Sequence, residues 1–228
     1  MIKVKANKKK YYIKTSWEEL TYGEYLDILK APDELTSISI LSSIPVEILM
    51  RLDEASLYSL TTVLSFMQQL PEPAKDCKDI KRQTYGQKII LENALKLEDK
   101  NLIPLYALAC YEYDYQNIEK AVTFLKSKPF KLVYQRGMNY LNQLTEVIKM
   151  ESEHLKSSVT IEQKQAGIDM FNEFGVMNTV NRVAGGDLLK YEEVLKIDYN
   201  TVFVKQKMLS FDAKFQKAYT KIMNNKRK

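Results

Sequence analysis

The chain has 228 residues, 45% of them hydrophobic and 28% charged, which excludes a wholly disordered chain and is enough to bury a core. Its 7 glycines and 6 prolines force few turns, which points to long helices over many short strands, and no apolar run approaches the roughly 20 residues of a membrane span. The net charge of +5 is uneven: twelve basic residues within 1–14 and 214–228 meet no acid there, so the stretch between them is acidic.

Residues 2–14 alternate in the manner of a small β-hairpin, with Ile2, Val4 and Ala6 against Lys3 and Lys5, a turn at Asn7 to Lys9, and a return through Tyr11 to Ile13. The leading lysines are followed by no apolar stretch, so they are not read as a secretory signal. Helical patterning starts after Ser16, where Trp17, Leu20, Tyr25, Leu26 and Leu29 form an apolar face and Thr21 with Glu24 fits a capping box. Pro32 stops this segment. Leu35 to Ile44 predicts a second helix, Pro45 opens a short one through Leu52, and Asp53 caps a third whose stripe is Leu57, Leu60, Leu64 and Met67. Pro71 and Pro73 end it. The expected division is a hairpin-plus-helix subdomain over 1–70, a polar linker over 71–83 and a helical domain over 84–228.

In the second domain, helices are expected from about Gly86, from Pro104 through Tyr113, from Asn117 to Lys126, and from Phe130 to Leu155 with Val133, Gly137, Leu141, Leu144 and Ile148 on one face. A mid-helix glycine such as Gly137 costs about 1 kcal/mol relative to alanine, and a close neighbouring helix is the usual compensation. Residues 156–160 read as a break, Ile161 to Phe174 as helix ended by Gly175, and Val176 to Val183 as another. Ala184-Gly185-Gly186-Asp187 is a stop-and-restart signal before Leu188 to Ile197. Asp198 caps the last helix, Tyr199 to about Met223, whose stripe is Val204, Met208, Phe211, Phe215, Tyr219 and Ile222, with Lys207, Lys214, Lys217 and Lys221 off that face. So apolar a stripe needs cover, from the rest of the chain or from a partner. No internal repeat is visible. The expected fold class is mainly α, a multi-helix bundle with a small N-terminal β-hairpin.

Catalytic chemistry has little to work with. The one histidine, His154, lies three residues from Glu151, the spacing of a di-iron ligand pair, but no second histidine exists to complete such a site. Cys77 and Cys110 lack zinc-ligand spacing, no glycine loop could cradle phosphate, and Glu18-Glu19 and Glu192-Glu193 point in different directions on their helices. No catalytic residue, cofactor or metal ligand is assigned. The 15 tyrosines stand out, with Tyr106, Tyr111, Tyr113 and Tyr115 around one helix and its exit. Tyrosine suits interfaces because its ring buries while its hydroxyl stays wet, and it suits a half-buried core rim for the same reason. The candidate partner-binding residues are Tyr111, Tyr113, Phe211, Phe215 and Tyr219. Glu112, Asp114 and Glu119 beside the tyrosines would repel phosphate, and the basic ends carry lysine rather than the arginine that base readout favours, so nucleic acid is the weakest of the partner classes.

The segment Ser16-Trp17-Glu18-Glu19-Leu20-Thr21-Tyr22-Gly23-Glu24-Tyr25-Leu26, the following Ile44-Pro45-Val46-Glu47-Ile48, the leucine-rich stretch 54–70 and the run from Gly186 to Leu195 resemble phage tail assembly chaperones and related morphogenesis proteins. The likeness lies in hydrophobic pattern, and residues 72–185 do not share in it. It implies a non-enzymatic factor in the cytoplasm of an infected host, masking apolar helical segments of a partner such as a tape-measure protein. A structural virion component at a connector, neck or baseplate, and a basic nucleic-acid-binding accessory protein, are the alternatives.

Overall fold

The computed structural model describes residues 2–6, 9–113, 115–155 and 161–226, and its architecture is mainly helical. Asn7 and Lys8 of the expected turn and the break expected at 156–160 fall on residues outside this set, as do Arg227 and Lys228 of the basic end. Strands β1 (Ile2–Ala6) and β2 (Lys9–Ile13) run antiparallel, with Ile2 opposite Ile13. The helices are α1 (Tyr22–Leu29), α2 (Glu34–Ser42), α3 (Val46–Leu49), α4 (Glu54–Val63), α5 (Tyr85–Ala94), α6 (Ile103–Glu112), α7 (Ile118–Lys126), α8 (Phe130–Leu155), α9 (Ile161–Gln165), α10 (Val176–Val183), α11 (Tyr191–Lys196) and α12 (Tyr199–Lys226).

Two units emerge, and neither is contiguous. The first comprises Met1–Cys77 and Ala94–Leu141, the second Lys78–Asn93 and Asn142–Lys228. This differs from the expected division at a single linker, because the chain crosses between units three times and one crossing lies inside α8. Nor is the stretch 71–83 a loose connection. In the first unit, Gln135 of α8 donates to the Glu72 carbonyl (2.7 Å), the Ala74 amide donates to the Gln135 carbonyl (2.9 Å), and Asn139 donates to the Ala74 carbonyl (2.6 Å). In the second unit, Gln143 donates to the Lys78 carbonyl and accepts from the Ile80 amide, both at 3.0 Å. Three amide side chains at helical spacing therefore satisfy backbone groups of a segment that is extended apart from one short helical turn, Ile80–Arg82.

The first unit has a small aliphatic core of Ile13, Ile38, Ile44, Leu49 and Leu60. Asp33 and Asp53 cap α2 and α4 by accepting from the amides of Thr36 (2.7 Å) and Ser56 (2.8 Å). Its aromatic core gathers on Phe130, the first residue of α8, whose ring lies within 5.1 Å of those of Trp17, Tyr22, Tyr25 and Tyr134. Gly137 is required where it stands, because an ideal Cβ there would run into the Pro104 carbonyl of α6.

One local arrangement occurs in both units, although the sequence shows no repeat. In the first, Thr21-Tyr22-Gly23-Glu24 opens α1 as a capping box: the Thr21 amide donates to Glu24 (2.9 Å) and the Glu24 amide to the Thr21 hydroxyl (3.2 Å). The Tyr22 amide then donates to the Lys128 carbonyl (2.9 Å), and the Phe130 amide to the Leu20 carbonyl (2.6 Å), tying α1 to the start of α8. In the second, Thr84-Tyr85-Gly86-Gln87 opens α5 in the same way, with Thr84 donating to Gln87 (2.9 Å) and Gln87 to Thr84 (3.3 Å). The Tyr85 amide donates to the Ile197 carbonyl and the Tyr199 amide to the Gln83 carbonyl, both at 2.8 Å, tying α5 to the start of α12. The clamp extends into the long helices: Phe130 stacks on Tyr134, Tyr199 stacks on Phe203, and Val133 and Val202 are both buried one turn in.

Glycine is required at the same point of each clamp. A Cβ on Gly23 would stand 3.1 Å from the Lys126 carbonyl oxygen, and one on Gly86 would stand 3.1 Å from that of Leu195. Gly23→Val and Gly86→Val should each lose about 1–3 kcal/mol by overpacking a rigid backbone contact. Urea unfolding of the two variants is the check, and a normal midpoint for either one would show that its clamp is not tight.

Candidate functional site

The sequence-level candidates separate into two groups. Tyr111 is 2% exposed and stacks on Tyr140 with ring centres 4.9 Å apart. The Tyr140 hydroxyl donates to Glu112 (2.7 Å), which also takes Arg136 at 2.6 Å. Tyr111 is therefore a core residue of the first unit, which corrects its assignment to a partner surface; α6 buries both of its faces, so tyrosine there carries no interface signal. Tyr113 is 39% exposed and leans on Phe124, and Tyr106 donates to Glu119 (2.8 Å).

The other three candidates lie together on α12. Asp198 caps this helix, accepting from the amide and hydroxyl of Thr201 at 2.9 and 2.6 Å, and these hydrogen bonds hold its carboxyl below the usual range. Tyr199, Val202 and Phe203 pack into the core of the second unit, and Gln206, Leu209 and Ser210 continue that face half-buried. At 100° per residue, Val204, Met208, Phe211, Phe215, Tyr219 and Ile222 fall on the opposite side. Each is between 48% and 61% exposed. From Tyr199 to Ser210 α12 thus has two apolar faces, of which the unit covers the inner one, and from Phe211 to Ile222 the helix is exposed all round. The outer face is aromatic at its middle: Phe215 stacks on Tyr219 with centres 6.0 Å apart, and the ammonium groups of Lys207 and Lys214 each sit 5.8 Å from the Phe211 ring. Among its 28 residues are six lysines and one acid, Asp212.

On the inner side, a cavity of about 540 Å³ opens between α10 and α12. Apolar Leu155, Val183 and Leu209 line it together with Arg182, Lys214 and Lys217, and no carboxylate is among the described lining residues.

No reactive constellation stands out elsewhere among the described residues. Glu151, expected on the same helical face as His154, pairs with Lys88 at 3.0 Å, and Glu92 takes the same ammonium at 2.9 Å. Burial opposes the Lys88 charge, but the two carboxylates outweigh it and hold the ammonium above its ordinary range. The ammonium also stands 5.8 Å from the Tyr85 ring and 5.9 Å from the Tyr199 ring, and its pairing with Glu151 ties α5 to the end of α8 within the second unit. The His154 ring meets Phe203 edge-on. Burial pushes the Cys110 thiol up to about 12 and also raises that of Cys77, which disfavours either as a nucleophile. Among the described residues there is no cluster of three metal-ligating side chains, and no helix is long and apolar enough to cross a membrane.

Sequence reasoning missed two features here: the opposed faces of α12 and the cationic cavity. The first was present in the sequence as a second stripe of Tyr199, Val202, Phe203, Gln206 and Leu209, masked by the stronger outer one. The second depends on α10 meeting α12, which no local pattern encodes. No family model matches the chain, and neither the curated proteins nor the solved structures contain a match to it.

Proposed function

We propose that this protein is a non-enzymatic assembly factor that binds a helical segment of a protein partner along the outer face of α12. The observation that carries this reading is the exposed stripe from Val204 to Ile222 on a helix whose other face packs into the unit between Tyr199 and Ser210. Two turns of exposed aromatic side chains on a helix anchored at Asp198 form the kind of ridge that an amphipathic partner helix covers. Methionine and tyrosine favour such reversible contact, since Met208 adapts its shape and Tyr219 keeps a wet hydroxyl. The resemblance of the Trp17–Leu26 segment to phage tail assembly chaperones supplies the setting: transient masking of a tail protein such as the tape measure in the host cytoplasm.

Phe215→Asp should change the unfolding free energy by no more than the scatter of surface substitutions, about 0.5 kcal/mol, because the ring is already exposed. It should abolish co-purification of a tape-measure protein expressed with this chain. Loss of folding would make the stripe part of a core, and undiminished co-purification would remove α12 as the binding face.

A further inference from the structure

Resting on that reading, we infer that the segment docking on α12 is an amphipathic helix whose apolar face is flanked by carboxylates. Charge decides between the candidate occupants. A second copy of α12 could match the apolar stripe, but it would bring six lysines and one acid against the same set. Like charges brought together at a desolvated rim oppose such pairing. A duplex nucleic acid would satisfy the lysines, yet it would leave Met208, Phe211, Phe215, Tyr219 and Ile222 with nothing apolar to cover them. A helix with leucine-like residues at its centre and glutamates at its edges satisfies both features at once. Lys207 and Lys214 are placed for this, because their ammonium groups stand beside the Phe211 ring on the border of the stripe. The Arg182, Lys214 and Lys217 lining of the adjoining cavity extends the same sign of charge along that border, through Lys214, and would receive an acidic side chain reaching over the edge of α12.

The test uses the full chain and three synthetic amphipathic helices of about 20 residues, a length that matches the exposed run of α12. They share one leucine stripe and carry glutamate, glutamine or lysine at the flanks. By fluorescence anisotropy the glutamate-flanked peptide should bind about tenfold tighter than the glutamine-flanked one, as a few rim ion pairs would give, and the lysine-flanked peptide should not bind. Raising salt should narrow the gap between the first two. Phe215→Asp should abolish binding of both. The double variant Lys207→Glu/Lys214→Glu should erase the preference for glutamate and retain the glutamine-flanked peptide. Equal binding of the glutamate and glutamine peptides would overturn the acidic partner and leave the docking face standing. Failure of all three, or binding indifferent to Phe215→Asp, would overturn the docking face itself. A concentration-dependent dimer lost in Phe215→Asp would assign the face to a second copy, and duplex DNA that displaces the acidic peptide and ignores Phe215→Asp would assign the lysines to nucleic acid.

Discussion

Trp17→Ala should lower the unfolding free energy by about 3–5 kcal/mol, the cost of deleting a large buried aromatic and leaving its cavity. The indole is 8% exposed and touches three rings, with centre distances of 5.9 Å to Tyr25, 5.0 Å to Phe66 and 4.4 Å to Phe130. Its Nε1–H donates to the Gln69 carbonyl at 3.0 Å, which fixes the chain just beyond α4. Trp17→Phe keeps most of the ring contact and loses the hydrogen bond, so it should cost less, about 1 kcal/mol from the bond together with the smaller ring. Urea titrations followed by far-UV circular dichroism measure both. An alanine variant as stable as the parent would mean that the first unit does not close around this side chain.

Lys88→Met should destabilise the second unit by about 3 kcal/mol. Removing the ammonium leaves Glu92 and Glu151 facing each other without their shared cation. Both carboxylates keep some solvent, at 29% and 19% side-chain exposure, which places the loss at the lower end for a broken buried pair. Adding Glu151→Gln to Lys88→Met should restore part of the stability, with a coupling of about 1 kcal/mol or more in a double-mutant cycle. Additive effects would show that the pair is solvated and contributes nothing specific.

Much of the helical architecture is legible in the sequence because its signals are local. Asp53, Asp198 and the Thr21–Glu24 box each act within one turn, and each caps the helix that its pattern marks. Gly185 and Gly186 adopt positive φ and end α10 where the Gly-Gly pair predicts it. Phe130 to Leu155 is a helix over the residues expected, and Gly137 meets the close neighbour that its cost implies. What was illegible is non-local. The Thr-Tyr-Gly clamp uses three shared letters, and its two halves recur at different separations, Thr21 to Thr84 and Pro129 to Asp198, so no fixed period betrays it. The polar stretch 71–83 looks like a linker because its hydrogen-bond partners, Gln135, Asn139 and Gln143, lie some sixty residues on. The same limit applies to the candidate site. Aromatic side chains at Tyr111 and at Phe215 read alike, and only packing sends one inward and leaves the other exposed.

The interleaved order of the two units governs how the protein can be made and cut. A ribosome must release Leu141 before the first unit holds all of its segments, and by then Lys78–Asn93 has already emerged with its counterpart still unsynthesised. Nascent α5 waits, its Tyr85 amide without the Ile197 carbonyl, until the chain has grown through α11. Closure therefore depends on contacts between residues far apart in sequence, which slows folding and prolongs the exposure of apolar segments. It also means that no single cut separates the two units: a fragment ending at Cys77 lacks α6, α7 and the start of α8, and one beginning at Asn142 lacks α5.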